Sequence, residues 1–203
     1  MLYYLHGYQS SPTGEKAIIF KEKLGAIPIA YRDDSPENLV ISRCLHYISE
    51  VLKNDDQVVL IGSSLGGFLA ASTALTHPKV KQLILLNPAI IPPEIDLHTI
   101  VGMPLRILEE MRDPRLFEQK IPAIITILRG TLDDLVPDEW ILSFAKAQQA
   151  AIQLFNDDHR FSKNLQKLLM PNAECSLILF PSNFDIRNLY MQIIHQLLKH
   201  QSN

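Results

Sequence analysis

Cysteine is scarce in this chain: two in 203 residues, Cys44 and Cys175, far apart and in apolar surroundings. A disulfide framework needs more of them, so two buried, reduced thiols are expected instead. Basic residues are not in excess either, since 19 Lys and Arg against 22 Asp and Glu leave a net charge of -3. No nucleic-acid partner is expected from such a balance, and the acidity is too mild for a disordered acidic tail. Apolar runs of membrane-spanning length are missing, so no membrane span is expected. The opening Met1-Leu2-Tyr3-Tyr4-Leu5 runs at once into His6-Gly7, without the basic, apolar and small-residue regions of a signal peptide. A cytoplasmic location is the expectation these absences leave.

What is present suits one domain spanning residues 1–203. A chain of this length buries roughly 70% of its unfolded surface and needs no structural metal. Short apolar runs at 2–5, 26–31, 58–61, 83–86, 123–128 and 152–155 read as strands. The run Val58-Val59-Leu60-Ile61 has the continuous character of a strand buried on both faces. Helical spacing fills the gaps at 14–24, from Ser35-Pro36 as cap and first turn, at 65–76, at 140–150 and at 161–169. Strands separated by helix-length segments imply an α/β fold, a mainly parallel sheet of about six or seven strands with helices on both faces. Two stretches break the rhythm. Residues 90–120 exceed a normal crossover and are rich in Ile and Leu, which fits either a cap-like insertion over a pocket or an extra packed helix pair. Residues 171–203 form a C-terminal extension, with a strand at 177–180 and an apolar helical stripe from Phe184 to Leu198. That stripe suits docking on the sheet, or pairing in a homodimer.

Chemistry concentrates at the ends of the strands. Gly62-Ser63-Ser64-Leu65-Gly66 matches G-x-S-x-G and lies between a buried strand and an apolar helix, where a nucleophile elbow belongs. Gly62 and Gly66 let strand and helix cross closely. With Ser63 as nucleophile, Ile61 and Leu65 would take the glycine places, so the register selects Ser64. A serine needs a base, and in the order nucleophile, acid, histidine both partners lie downstream. Asp133 sits after a strand, where parallel-sheet sites form, with Asp134 as a competitor and Asp138, which reads as a helix N-cap, as a weaker one. His159 follows the next strand. The other six histidines precede the acid or lie in the insertion or the terminal helix. Asp157 and Asp158 beside His159 lack a further ligand at metal spacing, so no metal is expected. By position, the backbone amides of Tyr8, after the first strand, and of Leu65 are the candidate oxyanion donors.

These residues resemble a known family. Leu5-His6-Gly7-Tyr8-Gln9-Ser10-Ser11-Pro12 with Lys16-Ala17, then Gly62-Ser63-Ser64-Leu65-Gly66-Gly67 and Asn87-Pro88-Ala89, are similar to the motifs of the small bacterial YqiA-like esterases. The resemblance covers roughly residues 1 to 169. It implies a reduced α/β-hydrolase fold that begins at the HG strand, and ester or thioester hydrolysis without metal or cofactor. It also implies the roles of Ser64, Asp133 and His159 at their matching positions. The chain departs from the family in its tail, which is about thirty residues longer. The expected function is cleavage of small carboxylic esters through an acyl-enzyme. An acyl-CoA thioesterase would use the same three residues, with Lys16, Arg106 and Arg112 as candidate contacts for the CoA. A reading of another class is a non-catalytic interaction module that kept the fold.

Overall fold

Two periodicities set the architecture, one of two residues and one of three to four. The computed structural model describes residues 1–165 and the strand at 176–178. Six strands pair in parallel: β1 (Leu2–Leu5), β2 (Ile27–Pro28), β3 (Val58–Ser63), β4 (Val80–Leu86), β5 (Ile124–Gly130) and β6 (Ala151–Phe155). Their order is β2-β1-β3-β4-β5-β6, and β7 (Ser176–Ile178) closes the far edge antiparallel to β6. The connections carry α1 (Glu15–Leu24), α2 (Ile41–Leu52), α3 (Leu65–Thr76), α4 (Leu105–Met111), α5 (Arg115–Glu118) and α6 (Asp138–Gln148).

Successive side chains of a strand point to opposite faces, and this sorts the core in two. Leu5, Leu60, Leu85, Ile127 and Ile152 enter one cluster with apolar residues of α2 through α6. Tyr4, Ile61, Leu86, Leu128 and Phe155 enter the other, with Ala17 and Phe20 of α1 and with Phe161 and Leu165. Helices therefore cover both faces, as the continuous apolar runs imply, but unequally. Among the described residues α1 alone represents the helices in the second cluster.

Four expectations change in detail. The strand expected at 26–31 keeps only Ile27–Pro28 in the ladder, with the Ile29 amide still donating to the Tyr4 carbonyl at 3.0 Å. The Ser35-Pro36 start gives only a single tight turn, Pro36–Asn38, and α2 begins at Ile41. The cap of α2 is not local. The Ile41 amide donates to the Glu110 carboxylate of α4 at 2.8 Å. The helix expected at 161–169 is a run of turns over 161–165, with 166–169 outside the described residues. Here the Asp157 carboxylate accepts the amides of Lys163 and Asn164, and Asp158 those of Arg160 and Ser162. Side chains that bind nearby backbone in this way compete with a helix. Finally, Asp138 is not an N-cap but the first residue of α6, after Pro137.

The insertion at 90–120 packs into the main cluster. Ile107, Leu108, Met111 and Leu116 are buried there. Arg106 donates to the carbonyls of Leu39 and Glu37, and Arg112 to that of Ile95. Gln148 of α6 accepts the Ile121 amide and donates to the carbonyls of Leu116 and Gln119. Cys44 is buried, and burial pushes its thiol up to about 11. Cys175 and the apolar stripe from Phe184 to Leu198, with any homodimer it would form, lie outside the described residues.

Candidate active site

The turn between β3 and α3 holds Ser64 at φ 53° and ψ -119°, a conformation that costs a non-glycine residue on the order of 1–3 kcal/mol. Four hydrogen bonds hold it there. Its amide donates to the Leu86 carbonyl at 2.9 Å, and its own carbonyl accepts from Gly67, Ala89 and Phe68 at 2.8, 3.0 and 3.3 Å. A Cβ on Gly62 would lie 2.7 Å from the Gly67 Cα, and one on Gly66 would lie 2.6 Å from the His6 carbonyl oxygen. Both partners are backbone, which cannot swing aside. Ser63 is the last residue of β3 and is buried. Ser64 instead stands at the N-terminus of the twelve-residue α3, at the positive end of its dipole.

Asp133 and His159 meet as the sequence anticipates. His159 Nδ1 lies 2.8 Å from Asp133 Oδ2, with the Asp133 side chain fully buried and that of His159 16% exposed. Asp134 is exposed and is not the partner. The other oxygen of Asp133, Oδ1, accepts the amides of Leu135 and Val136 at 2.8 and 3.1 Å. Burial by itself would raise the Asp133 pKa. The bond to His159, the amides and the nearby Arg129 outweigh it and hold the carboxyl below its ordinary value. With a proton on Nδ1 for Asp133, the other ring nitrogen of His159 is left as an acceptor.

Arg129, and Asn87 of the Asn87-Pro88-Ala89 motif, tie these pieces together. Asn87, at the end of β4, is fully buried with φ 41°. Its Nδ2 donates to the carbonyls of Asp158 and His159, both at 3.3 Å. Its Oδ1 accepts the Gly130 amide at 2.9 Å and, at a long 3.4 Å, Arg129 Nη1. The Leu86 carbonyl that fixes Ser64 is one residue away, so Asn87 links the elbow to the histidine loop. Arg129, 4% exposed at the end of β5, donates from Nη1 to Asp133 Oδ2 at 2.7 Å and from Nε to Asp138 Oδ1 at 2.8 Å. A signal for it was present in the sequence: an arginine closing the apolar strand Ile124–Gly130, four residues before an acid. The histidine loop is anchored below by Phe161, fully buried and edge-on to Phe155 at 5.7 Å.

The turn after β1 passes beside the elbow. A Cβ on Gly7 would be 3.4 Å from the Ser64 Cβ and 4.0 Å from its Oγ. Among the described residues, neither the Tyr8 nor the Leu65 amide donates a backbone hydrogen bond. His6 props this turn from within. It is 1% exposed, stacks on Tyr31 at 4.3 Å, and its carbonyl accepts the Tyr31 hydroxyl at 2.8 Å. Burial is the main cause that drives its pKa down to about 4, so the ring is neutral. Among the described residues no group of three His, Cys, Asp or Glu side chains is placed to hold a metal ion, and no helix is long and apolar enough to cross a membrane.

Comparison with known proteins supports the fold. Est1E from Butyrivibrio proteoclasticus, solved with ferulic acid bound, superposes with a TM-score of 0.66 at 18% identity, over 83% of this chain and 84% of that one. Alpha/beta hydrolase domain-containing protein 10 from mouse gives 0.63 at 21% identity, over 83% and 86%. A monoacylglycerol lipase from Paleococcus ferrophilus gives 0.62 at 15% identity, over 83% and 90%. At such identities the likeness establishes an α/β-hydrolase fold. No curated protein sequence matches the chain. One sequence family does, described as an uncharacterised protein family, UPF0227, over residues 1–170.

Proposed function

The chain belongs to the uncharacterised protein family UPF0227, and we propose that it is a serine hydrolase that cleaves small carboxylic esters through an acyl-enzyme. The observation that carries this reading is the buried Asp133–His159 pair at 2.8 Å, tied through Asn87 to the elbow that presents Ser64. Esterase and lipase relatives of the same fold support the hydrolase class.

In this mechanism His159 takes the Ser64 hydroxyl proton as the oxygen attacks the ester carbonyl. Asp133 keeps the imidazole in the tautomer with Nδ1–H and stabilises the imidazolium. The amides of Tyr8 and Leu65 bind the oxyanion; losing one such donor typically costs on the order of a hundredfold in rate. His159 then protonates the leaving alcohol. Water, deprotonated by His159, cleaves the acyl-enzyme and restores Ser64. Every group in the cycle comes from the chain or from water, so it uses no metal or cofactor. We take residues 90–120 as a fixed part of a single domain, because their apolar side chains and arginines are already engaged within the fold. That also favours an ester over a CoA thioester, since Arg106 and Arg112 hold backbone carbonyls. Leu132 and Leu135, exposed on either side of Asp133, suit an apolar acyl or alcohol group.

Labelling with a fluorophosphonate, read by intact mass, tests the reading. Wild type and Ser63→Ala should gain one adduct, and Ser64→Ala and His159→Ala should gain none. Absence of labelling in folded wild type would remove the hydrolase reading and leave an interaction module on a hydrolase fold.

A further inference from the structure

The buried cation beside the acid has no part in the proton transfers above. Arg129 Nη1 and His159 Nδ1 approach the same atom, Asp133 Oδ2, at 2.7 and 2.8 Å. The side chains of Arg129 and Asp133 are 5% and 0% exposed, so water screens this arrangement little. Oδ1 is committed to the amides of Leu135 and Val136. All four acceptor sites of the carboxylate are thus taken. Resting on the serine hydrolase reading, we propose that Arg129 is a positioning residue: it pins Asp133 Oδ2 toward His159 and, as a cation sharing that oxygen, weakens the carboxylate's hold on the protonated imidazole.

Other charges around the pair do not substitute for it. On α6, Asp138 pairs with Arg129 but its side chain is 57% exposed. On the histidine loop, the Asp157 and Asp158 carboxylates are spent on amides of their own turns. Lys16 of α1 faces those carboxylates, with Arg160 near it, and Asp134 is exposed beside Asp133. Arg129 is the cation in direct contact with the acid.

The test follows His159 itself. In protein labelled at histidine Cε1, with the signal assigned by His159→Gln, its NMR titration is recorded at low ionic strength for wild type, Arg129→Met and Arg129→Lys. A charge a few ångströms away commonly shifts a titration by about one pH unit or more, and a like charge disfavours the protonated imidazole. The midpoint should therefore rise by about one unit in Arg129→Met, and Arg129→Lys, which keeps the charge, should return most of that shift. Asp138→Asn relieves Arg129 of its second anion on an otherwise intact surface, and should lower the midpoint by a few tenths of a unit. This variant decides the matter should Arg129→Met not fold. In turnover, the acid limb of kcat/KM should move with the NMR midpoint. An unmoved midpoint in Arg129→Met, or an unmoved or raised one in Asp138→Asn, overturns the inference and leaves Arg129 a structural ion pair. The titration needs no turnover. A shifted midpoint in a protein that no fluorophosphonate labels would instead remove the hydrolase reading while the coupling stood.

Discussion

Asn87 shows how much of a site one small amide can hold. All four of its side-chain hydrogen-bonding positions are used, two on the histidine loop and two at the end of β5. Its φ of 41° is one that Asn tolerates and most residues do not. Asn87→Ala should leave the buried Gly130 amide without a partner, and each such group costs about 1–3 kcal/mol. Urea unfolding should accordingly show a loss of about 2 kcal/mol or more. Asn87→Asp keeps the acceptor for Gly130 and Arg129 but has nothing to donate to the carbonyls of Asp158 and His159. Stability should then recover in part while kcat stays at least about tenfold down, equivalent to about 1.4 kcal/mol of barrier, with KM little changed. Wild-type kcat in Asn87→Asp would show that those two bonds do not position His159.

At the scale of elements, the elbow and the insertion make separate demands. Strand β1 and helix α3 lie so close that a methyl group on Gly66 meets the backbone of Leu5 and His6. Overpacking against atoms that cannot move costs roughly 3 kcal/mol, so Gly66→Ala should be destabilised by about that much and lose fluorophosphonate labelling. A Gly66→Ala protein with wild-type stability would mean that β1 can retreat. The insertion is tied to the sheet through a cap. Glu110 of α4 accepts the Ile41 amide that opens α2. Loss of a cap typically costs about 1 kcal/mol, which is the loss expected in a thermal or urea melt of Glu110→Ala. Glu110→Gln, which keeps an acceptor oxygen, should lose less. Equal losses would mean that charge on α4, not the bond, stabilises α2.

For the molecule as a whole, acid sensitivity should have a histidine component. His6 is buried neutral with its pKa lowered to about 4 from 6.5. The unfolded chain binds a proton there near pH 6.5 and the folded chain only near 4, so stability falls as pH drops between those values and the loss is constant below. By pH 4.5 the loss is of order 2 kcal/mol from this group. Urea melts of wild type and His6→Asn at pH 7 and pH 4.5 measure it: wild type should lose more on acidification than the variant. Equal losses would place the sensitivity in the carboxylates alone. Asp133, whose folded pKa lies below its ordinary value, contributes stability that persists above its unfolded pKa and is lost as pH falls through the folded one.

The sequence by itself determined the parallel sheet and the residues that stand at its carboxyl edge. Continuous apolar runs require burial on both faces, and G-x-S-x-G between strand and helix permits one register, so Ser64 was legible without coordinates. Asp133 and His159 followed from chain order, and their contact at 2.8 Å agrees with that order. Local signals failed where a partner distant in sequence took over. The Ser35-Pro36 start yielded to a cap supplied by Glu110, and the first turn of the helix expected at 161–169 yielded to carboxylates that bind its amides. Arg129 was visible only as a charge near a strand end, and Asn87 as part of the Asn87-Pro88-Ala89 motif but without a role. Their importance depends on which buried oxygen or amide lies within 3–4 Å, and a one-dimensional pattern carries no such distance. Only the tertiary structure sets β4, β5 and the histidine loop side by side, because burial leaves Asn87 and Arg129 no solvent to bond and obliges them to find partners in each other's elements.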